Sequence, residues 1–145
     1  MSSLNALIGL PVVSRATAET VGNLIAPVLD VSSRRVVAWQ VVKGRHPMVV
    51  ENGALAGIGQ AAAMLDERGD LREPGAAEEL ATVQGHHILL GARVLTDAGD
   101  VLGTVEDAEV DPDSGQVAFV RTTNGDVDSE RLRGFGSYAL VVAAL

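Results

Sequence analysis

The sequence contains no cysteine, which removes disulfides, thiolate catalysis and every cysteine-based zinc or iron–sulfur site at once. Aromatic residues are almost as scarce: Trp39, Tyr138, Phe119 and Phe135 are the whole set. The core must be built from Val, Leu, Ile and Ala, whose β-branched members gather in short runs that favour strands. No stretch approaches the ~18 uninterrupted apolar residues of a membrane span, and Met1-Ser2-Ser3-Leu4-Asn5 shows no basic segment leading into a long apolar one. The expectation is a soluble, cytoplasmic protein with no membrane segment of its own. Cations are also in deficit, giving a net charge of −8.

What is present is a sequence written twice. Leu7-Ile8-Gly9-Leu10-Pro11-Val12-Val13, Val21-Gly22-Asn23-Leu24-Ile25 and Leu29-Asp30-Val31 recur as Leu89-Leu90-Gly91-Ala92-Arg93-Val94-Leu95, Leu102-Gly103-Thr104-Val105-Glu106 and Val110-Asp111-Pro112. The offset is 82 residues at Gly9/Gly91 and 81 from Gly22/Gly103 to Val36/Val117, so one loop residue separates the copies. Each copy closes on a Gly-x-Gly, Gly57-Ile58-Gly59 and Gly134-Phe135-Gly136. A duplicated unit fixes an architecture before any chemistry. The reading is an all-β chain with residues 4–66 as repeat 1, 67–84 as a linker and 85–145 as repeat 2. Gly9, Gly22, Gly57, Gly59, Gly91, Gly103, Gly134 and Gly136 are read as structural turns.

Within the first copy, residues 7–13, Leu24–Asp30, Val36–Val42 and Pro47–Val50 read as strands. In the second, Glu106–Val110 and Gln116–Thr122 flank an Asp111-Pro112-Asp113-Ser114-Gly115 turn with good hairpin chemistry. Asp128–Arg133 is a one-turn helix candidate capped by Asp128, and Glu51–Ala56 takes its place in copy one. Between the copies, Asp66–Thr82 is charge-rich and holds Gly69, Pro74 and Gly75. Pro74–Ala81 can form two helical turns with acids near the N-terminal end. Val36–Val42 is apolar on both alternating faces, which predicts a second covering surface, most simply the other repeat or a dimer mate.

Charge divides unevenly between the copies. Residues 1–65 carry five cations and three acids, whereas 66–145 carry six and sixteen. This polarity favours packing of the modules on one another and argues against general nucleic-acid binding, which needs clustered cations.

These residues resemble the PRC-barrel family. Its opening half is matched by Leu-x-Gly-x-Pro-Val-Val, a loop, Val-Gly-x-Leu, a buried run ending Asp-Val and a Val-rich strand. Copy two repeats the pattern through Thr96–Gly103 and Asp111–Val117. The closing Gly-x-Gly and the apolar strand Tyr138–Val142 agree as well. The resemblance implies two small β-barrels packed as a pseudo-symmetric tandem, with short helical turns and a short linker helix. Family members include the cytoplasmic domain of the reaction-centre H subunit and the C-terminal barrel of a ribosome-maturation factor. Both act by docking. Neither the transmembrane helix of the first nor the leading domain of the second is seen here, so the resemblance carries over as an interaction module.

Chemical motifs lose to simpler readings. Gly57–Ala62 fits Gly-x-Gly-x-x-Ala, but Gly134–Ala139 fits it too with no room for a βαβ unit, so both are repeat-closing turns. Asp111–Gly115 resembles the start of a calcium loop, yet Pro112 is awkward and the twelfth position is Thr122 rather than a bidentate Glu. His86 and His87 point to opposite faces if extended, which leaves them and His46 poor partners for one metal. The carboxylates Glu106, Asp107, Glu109, Asp111 and Asp113 read as a solvated acidic edge. No enzyme activity, cofactor or metal is expected. The surface singled out for a protein partner is Arg34, Arg35, Trp39, Lys43 and Arg45, because Trp and Arg dominate interface hot spots; a core role for Trp39 is the competing reading. The leading function is a non-catalytic adaptor that uses a barrel edge or the cleft between repeats, with homo-oligomerisation left open. A small-ligand or metal-sensing module and a ribosome- or RNA-associated assembly factor are the alternatives.

Overall fold

The computed structural model describes residues 1–66 and 70–145; Glu67 to Gly69, where the expected linker begins, lie outside the described residues. The chain opens with β1 (Ser2–Ser3) and a helical turn, α1 (Leu4–Leu7). Six strands follow: β2 (Pro11–Ser14), β3 (Thr20–Asp30), β4 (Arg35–Lys43), β5 (His46–Glu51), β6 (Leu55–Ile58) and β7 (Ala63–Leu65). They curl into one sheet of order β5-β4-β3-β2-β7-β6. After α2 (Ala77–Val83) come β8 (Arg93–Thr96), β9 (Val101–Val110), β10 (Val117–Thr122), β11 (Gly125–Asp128), β12 (Leu132–Phe135) and β13 (Leu140–Val142). These form a second sheet of order β11-β10-β9-β8-β13-β12, with β1 added against β9. The two orders are the same, including one parallel pair in each, β2 with β7 and β8 with β13. The fold is all-β, two barrel-like sheets in tandem.

Duplication extends to the irregularities. Register shifts leave Val21, Ile25, Val37 and Ala56 as extra residues in the first sheet, and Leu102, Glu106, Ala118 and Arg133 at the matching places in the second. A bulge bends its strand and sharpens the twist, so four per sheet supply the curl that closes a small barrel. The bulges also correct the simple alternation expected for Val36–Val42. The extra residue Val37 is pushed outward, which puts Val36 on the same inner face as Trp39 and Val41. Gly57 and Gly134 sit inside β6 and β12, each just past a bulge, rather than in turns. The turns belong to Gly59 and Gly136, whose amides donate to the carbonyls of Ala62 and Ala139. At the N-terminal end, the strand expected from Leu7 begins only at Pro11, because Leu4–Leu7 winds into α1 and Gly9 takes φ +91°.

The halves meet across a pseudo-two-fold axis. Val36 N–H donates to the Gly115 carbonyl at 2.8 Å, and its counterpart Val117 N–H donates to the Arg34 carbonyl at 2.9 Å. The single antiparallel bridge between these bonds joins Arg35 to Gln116, residues that are each other's equivalents. Such self-complementary contact is the geometry of an isologous dimer interface. Gly115 is required there: with φ +78° and the Val36 carbonyl where a Cβ would stand, no other residue fits. One continuous apolar core runs through both halves, from Leu4, Leu24 and Trp39 to Leu89, Val120 and Leu140.

The second face of β4 has a different cover from the one expected. Val28, Ala38 and Val49 pack under Val83 of α2, so the linker helix, rather than the other repeat or a dimer mate, covers it. Two hydrophobic faces on one strand need two apolar partners, and a short helix can supply the second. The helix is clamped in place. Glu79 accepts two bonds from Arg72, at 2.7 and 2.6 Å, and two more from the amides of Gly75 and Ala76. The Arg72 guanidinium and these amides hold the Glu79 carboxyl down at about 2, against the lift from burial. The leading segment of the chain instead joins the second sheet at its edge, with β1 paired to β9 and the Ser3 hydroxyl donating to Asp107. Burial lifts the Asp107 pKa, but the bonds from Ser3, Asn5 and Ala108 outweigh it and leave it lowered. Among the described residues no helix is long and apolar enough to cross a membrane.

Candidate docking surfaces

Trp39 is not a surface residue. It lies wholly buried on the inner face of β4, and its indole Nε1–H donates to Asn52 Oδ1 at 2.9 Å. Burying so large a ring with its one polar atom satisfied is a core role, and it corrects the expectation that Trp39 contacts a partner. The four cations do not form one patch either. Arg34 and Arg35 stand at one end of β4 and Lys43 and Arg45 at the other, roughly 26 Å apart at the usual strand rise. Arg34 is half-buried in a left-handed turn at φ +57°, its carbonyl taken by Val117 and by the Gln116 side chain. Arg35, Lys43 and Arg45 are exposed. Of the histidines, His46 bonds to Glu73 at 2.8 Å, and the His87 ring packs on Phe135 with centroids 5.3 Å apart.

Arg35 does help to form a cleft at the seam. Arg35, Val36 and Val37 face Asp113 and Ser114 of the second repeat, with Asn52 and Gly53 at the base, around about 300 Å³. Its walls are the start of β4, just after one hairpin turn, and the other hairpin turn, Asp111–Gly115. On one side Asp30 holds the turn by accepting from Ser32 and Ser33. On the other Asp111 accepts the Asp113 amide, the largest cause of its lowered pKa. Val37, displaced by its bulge, is 41% exposed. The cleft thus brings together a guanidinium, a carboxylate, a hydroxyl and a projecting aliphatic side chain.

A second surface was not anticipated from the sequence. The closing turn of repeat 2, between β12 and β13, projects Tyr138, which is 69% exposed. The Arg93 guanidinium lies 4.9 Å from the Tyr138 ring centroid and donates to its hydroxyl. Clefts of about 230 and 390 Å³ flank this turn, sharing Phe135, Gly136, Ser137, Tyr138 and Ala139. The signal was available in the repeat itself. Where repeat 2 has Ile88, Arg93, Phe135 and Tyr138, repeat 1 has Ala6, Pro11, Ile58 and Ala61. At these positions the copies differ in chemistry while their backbones agree.

No curated protein matches the chain. Residues 85–141 match the family model described as PRC-barrel domain, a span that runs from just after α2 into β13 and takes in nearly all of the second sheet. The C-terminal half thus matches a PRC-barrel domain, and a second barrel-like sheet of the same strand order precedes it.

Proposed function

We propose that this chain is a non-catalytic adaptor that holds a protein partner in the cleft between its two repeats. PRC barrels are small β-barrel domains often involved in interactions. The observation that carries the reading here is Val37. A bulge turns it out of the core and into the lining of the seam cleft, beside the exposed Arg35. An aliphatic anchor ringed by a cation and polar groups is the anatomy of a small docking site. A reducing cytoplasmic setting accords with the absence of cysteine.

The test is capture of partners by the intact chain from its source-cell lysate after nuclease treatment, beside Val37→Glu and a control, Val101→Glu, on an exposed valine outside the cleft. The expected result is a protein partner kept by the control and lost from Val37→Glu. A partner retained by both variants removes the cleft from the reading. One that disappears with nuclease replaces it with an RNA-associated role.

A further inference from the structure

We infer that the closing turn of repeat 2 is a second, independent docking surface, built for a peptide segment that presents one carboxylate beside an aliphatic side chain. Three observations lead there. First, Arg93 forms no ion pair among the described residues, although it stands in the acid-rich half of the chain. Its guanidinium is stacked on Tyr138 and bonded once, to the phenol oxygen. A planar cation with most of its donors unspent and its orientation already fixed is prepared for a carboxylate.

Second, the wider cleft shares Tyr138 and Phe135 with the one that Arg93 lines, and its apolar lining includes Leu95, Phe135 and Val141. An aliphatic side chain fits such a lining, and a peptide residue adjacent to an Asp or Glu would carry it there. Third, the fold does not require any of these groups. Repeat 1 forms the same turn, with the Gly59 amide on the Ala62 carbonyl as Gly136 is on Ala139, and does so with Pro11, Ile58 and Ala61 at the corresponding positions. The repeat thus serves as an internal control: the arginine, the tyrosine and the phenylalanine are additions to a turn that closes without them.

The surrounding charge restricts the partner further. Residues 66–145 hold ten more acids than cations, and that field repels a polyacidic ligand within a Debye length of about 10 Å. A single carboxylate in contact with Arg93 gains a charge-assisted bond without a large long-range penalty.

The experiment is an NMR titration of the full ¹⁵N-labelled chain with the blocked peptide acetyl-Gly-Leu-Asp-Leu-Gly-amide and its Asn analogue. Shift changes are expected within residues 86–95 and 134–141, with the Asn peptide about ten-fold weaker. In Arg93→Gln, the Asp peptide is expected to fall to the affinity of the Asn peptide, which itself is unchanged. The amide spectrum of that variant reports whether the fold persists, and a Tyr138→Phe variant, which keeps the ring and removes the hydroxyl, provides a second, milder perturbation. Equal binding of the two peptides, changes confined to other residues, the absence of any change at millimolar peptide, or tighter binding of a polyglutamate would each overturn the inference.

Discussion

The outer faces of the two sheets follow one backbone plan and carry opposite chemistry. In repeat 1 the positions under α2 are Ala26, Val28, Ala38 and Val49, all buried. Their counterparts in repeat 2 are Asp107, Glu109, Phe119 and Asp126, half-buried or exposed, and the short β1 arm joins that sheet at the β9 edge with its hydroxyl and amide bonds to Asp107. The inner faces differ as well: Trp39 with its Asn52 partner in repeat 1 stands where repeat 2 has Val120. A strand order with four fixed bulges does not dictate what covers the sheet. Apolar outer positions in repeat 1 lie under a helix, whereas the largely acidic ones of repeat 2 stay half-buried or exposed.

Three experiments break or sharpen that contrast. The largest effect is expected at the inner face. Trp39→Ala removes the biggest core side chain and leaves the Asn52 oxygen without its donor, so chemical denaturation is expected to show a loss of about 3–5 kcal/mol, against roughly 2 kcal/mol for Val120→Ala. Equal losses would mean the two cores are interchangeable. Next comes an exchange across the outer faces. Val49→Asp places a carboxylate beneath α2 and is expected to cost about 3 kcal/mol. The reverse exchange, Asp126→Val at an exposed position, is expected to stay within about 0.5 kcal/mol. A comparable loss from both would show that the cover is irrelevant.

The smallest effect concerns the clamp on α2. Glu79→Gln keeps the shape but loses the charge on Arg72, costing about 1–2 kcal/mol at neutral pH. The folded-state pKa of Glu79 is depressed from 4.5 to about 2, so the stabilisation is complete above pH 4.5 and is lost as pH falls toward 2. Wild-type urea midpoints are expected to decline through that window, and the Gln variant to decline less. Parallel curves would exclude Glu79 as the titrating group.

The sequence made the duplication, the longer strands and the linker helix legible, because each rests on local patterns: repeated glycines, β-branched runs, and Pro74 with acids in the first turn of Ala77–Val83; the short strands β6, β7, β11 and β12 are not among those it predicts. Asp128 capped its one-turn helix as expected, accepting the Glu130 amide at 2.8 Å. The bulges were not legible. A two-residue period cannot register one extra residue, so plain alternation sets Val37 on the face of Trp39, whereas the bulge turns it outside. Trp39 resolves to the core role that competes with the contact reading in the sequence, since flanking arginines mark turns as readily as interfaces. Arg93 and Tyr138 are 45 residues apart and meet only through the parallel pairing of β8 with β13, a long-range contact that no local window contains.

The Arg35–Gln116 bridge on the pseudo-two-fold axis has a consequence for how such a chain can vary. Where two separate identical subunits pair, every substitution is introduced in duplicate, and a residue useful on one side of the axis must be tolerated on the other. Covalent linkage lifts that constraint, and it also makes the pairing insensitive to dilution. One half can hold a tryptophan and a helical cover while the other holds an arginine–tyrosine ridge, and neither has to accommodate its own mirror.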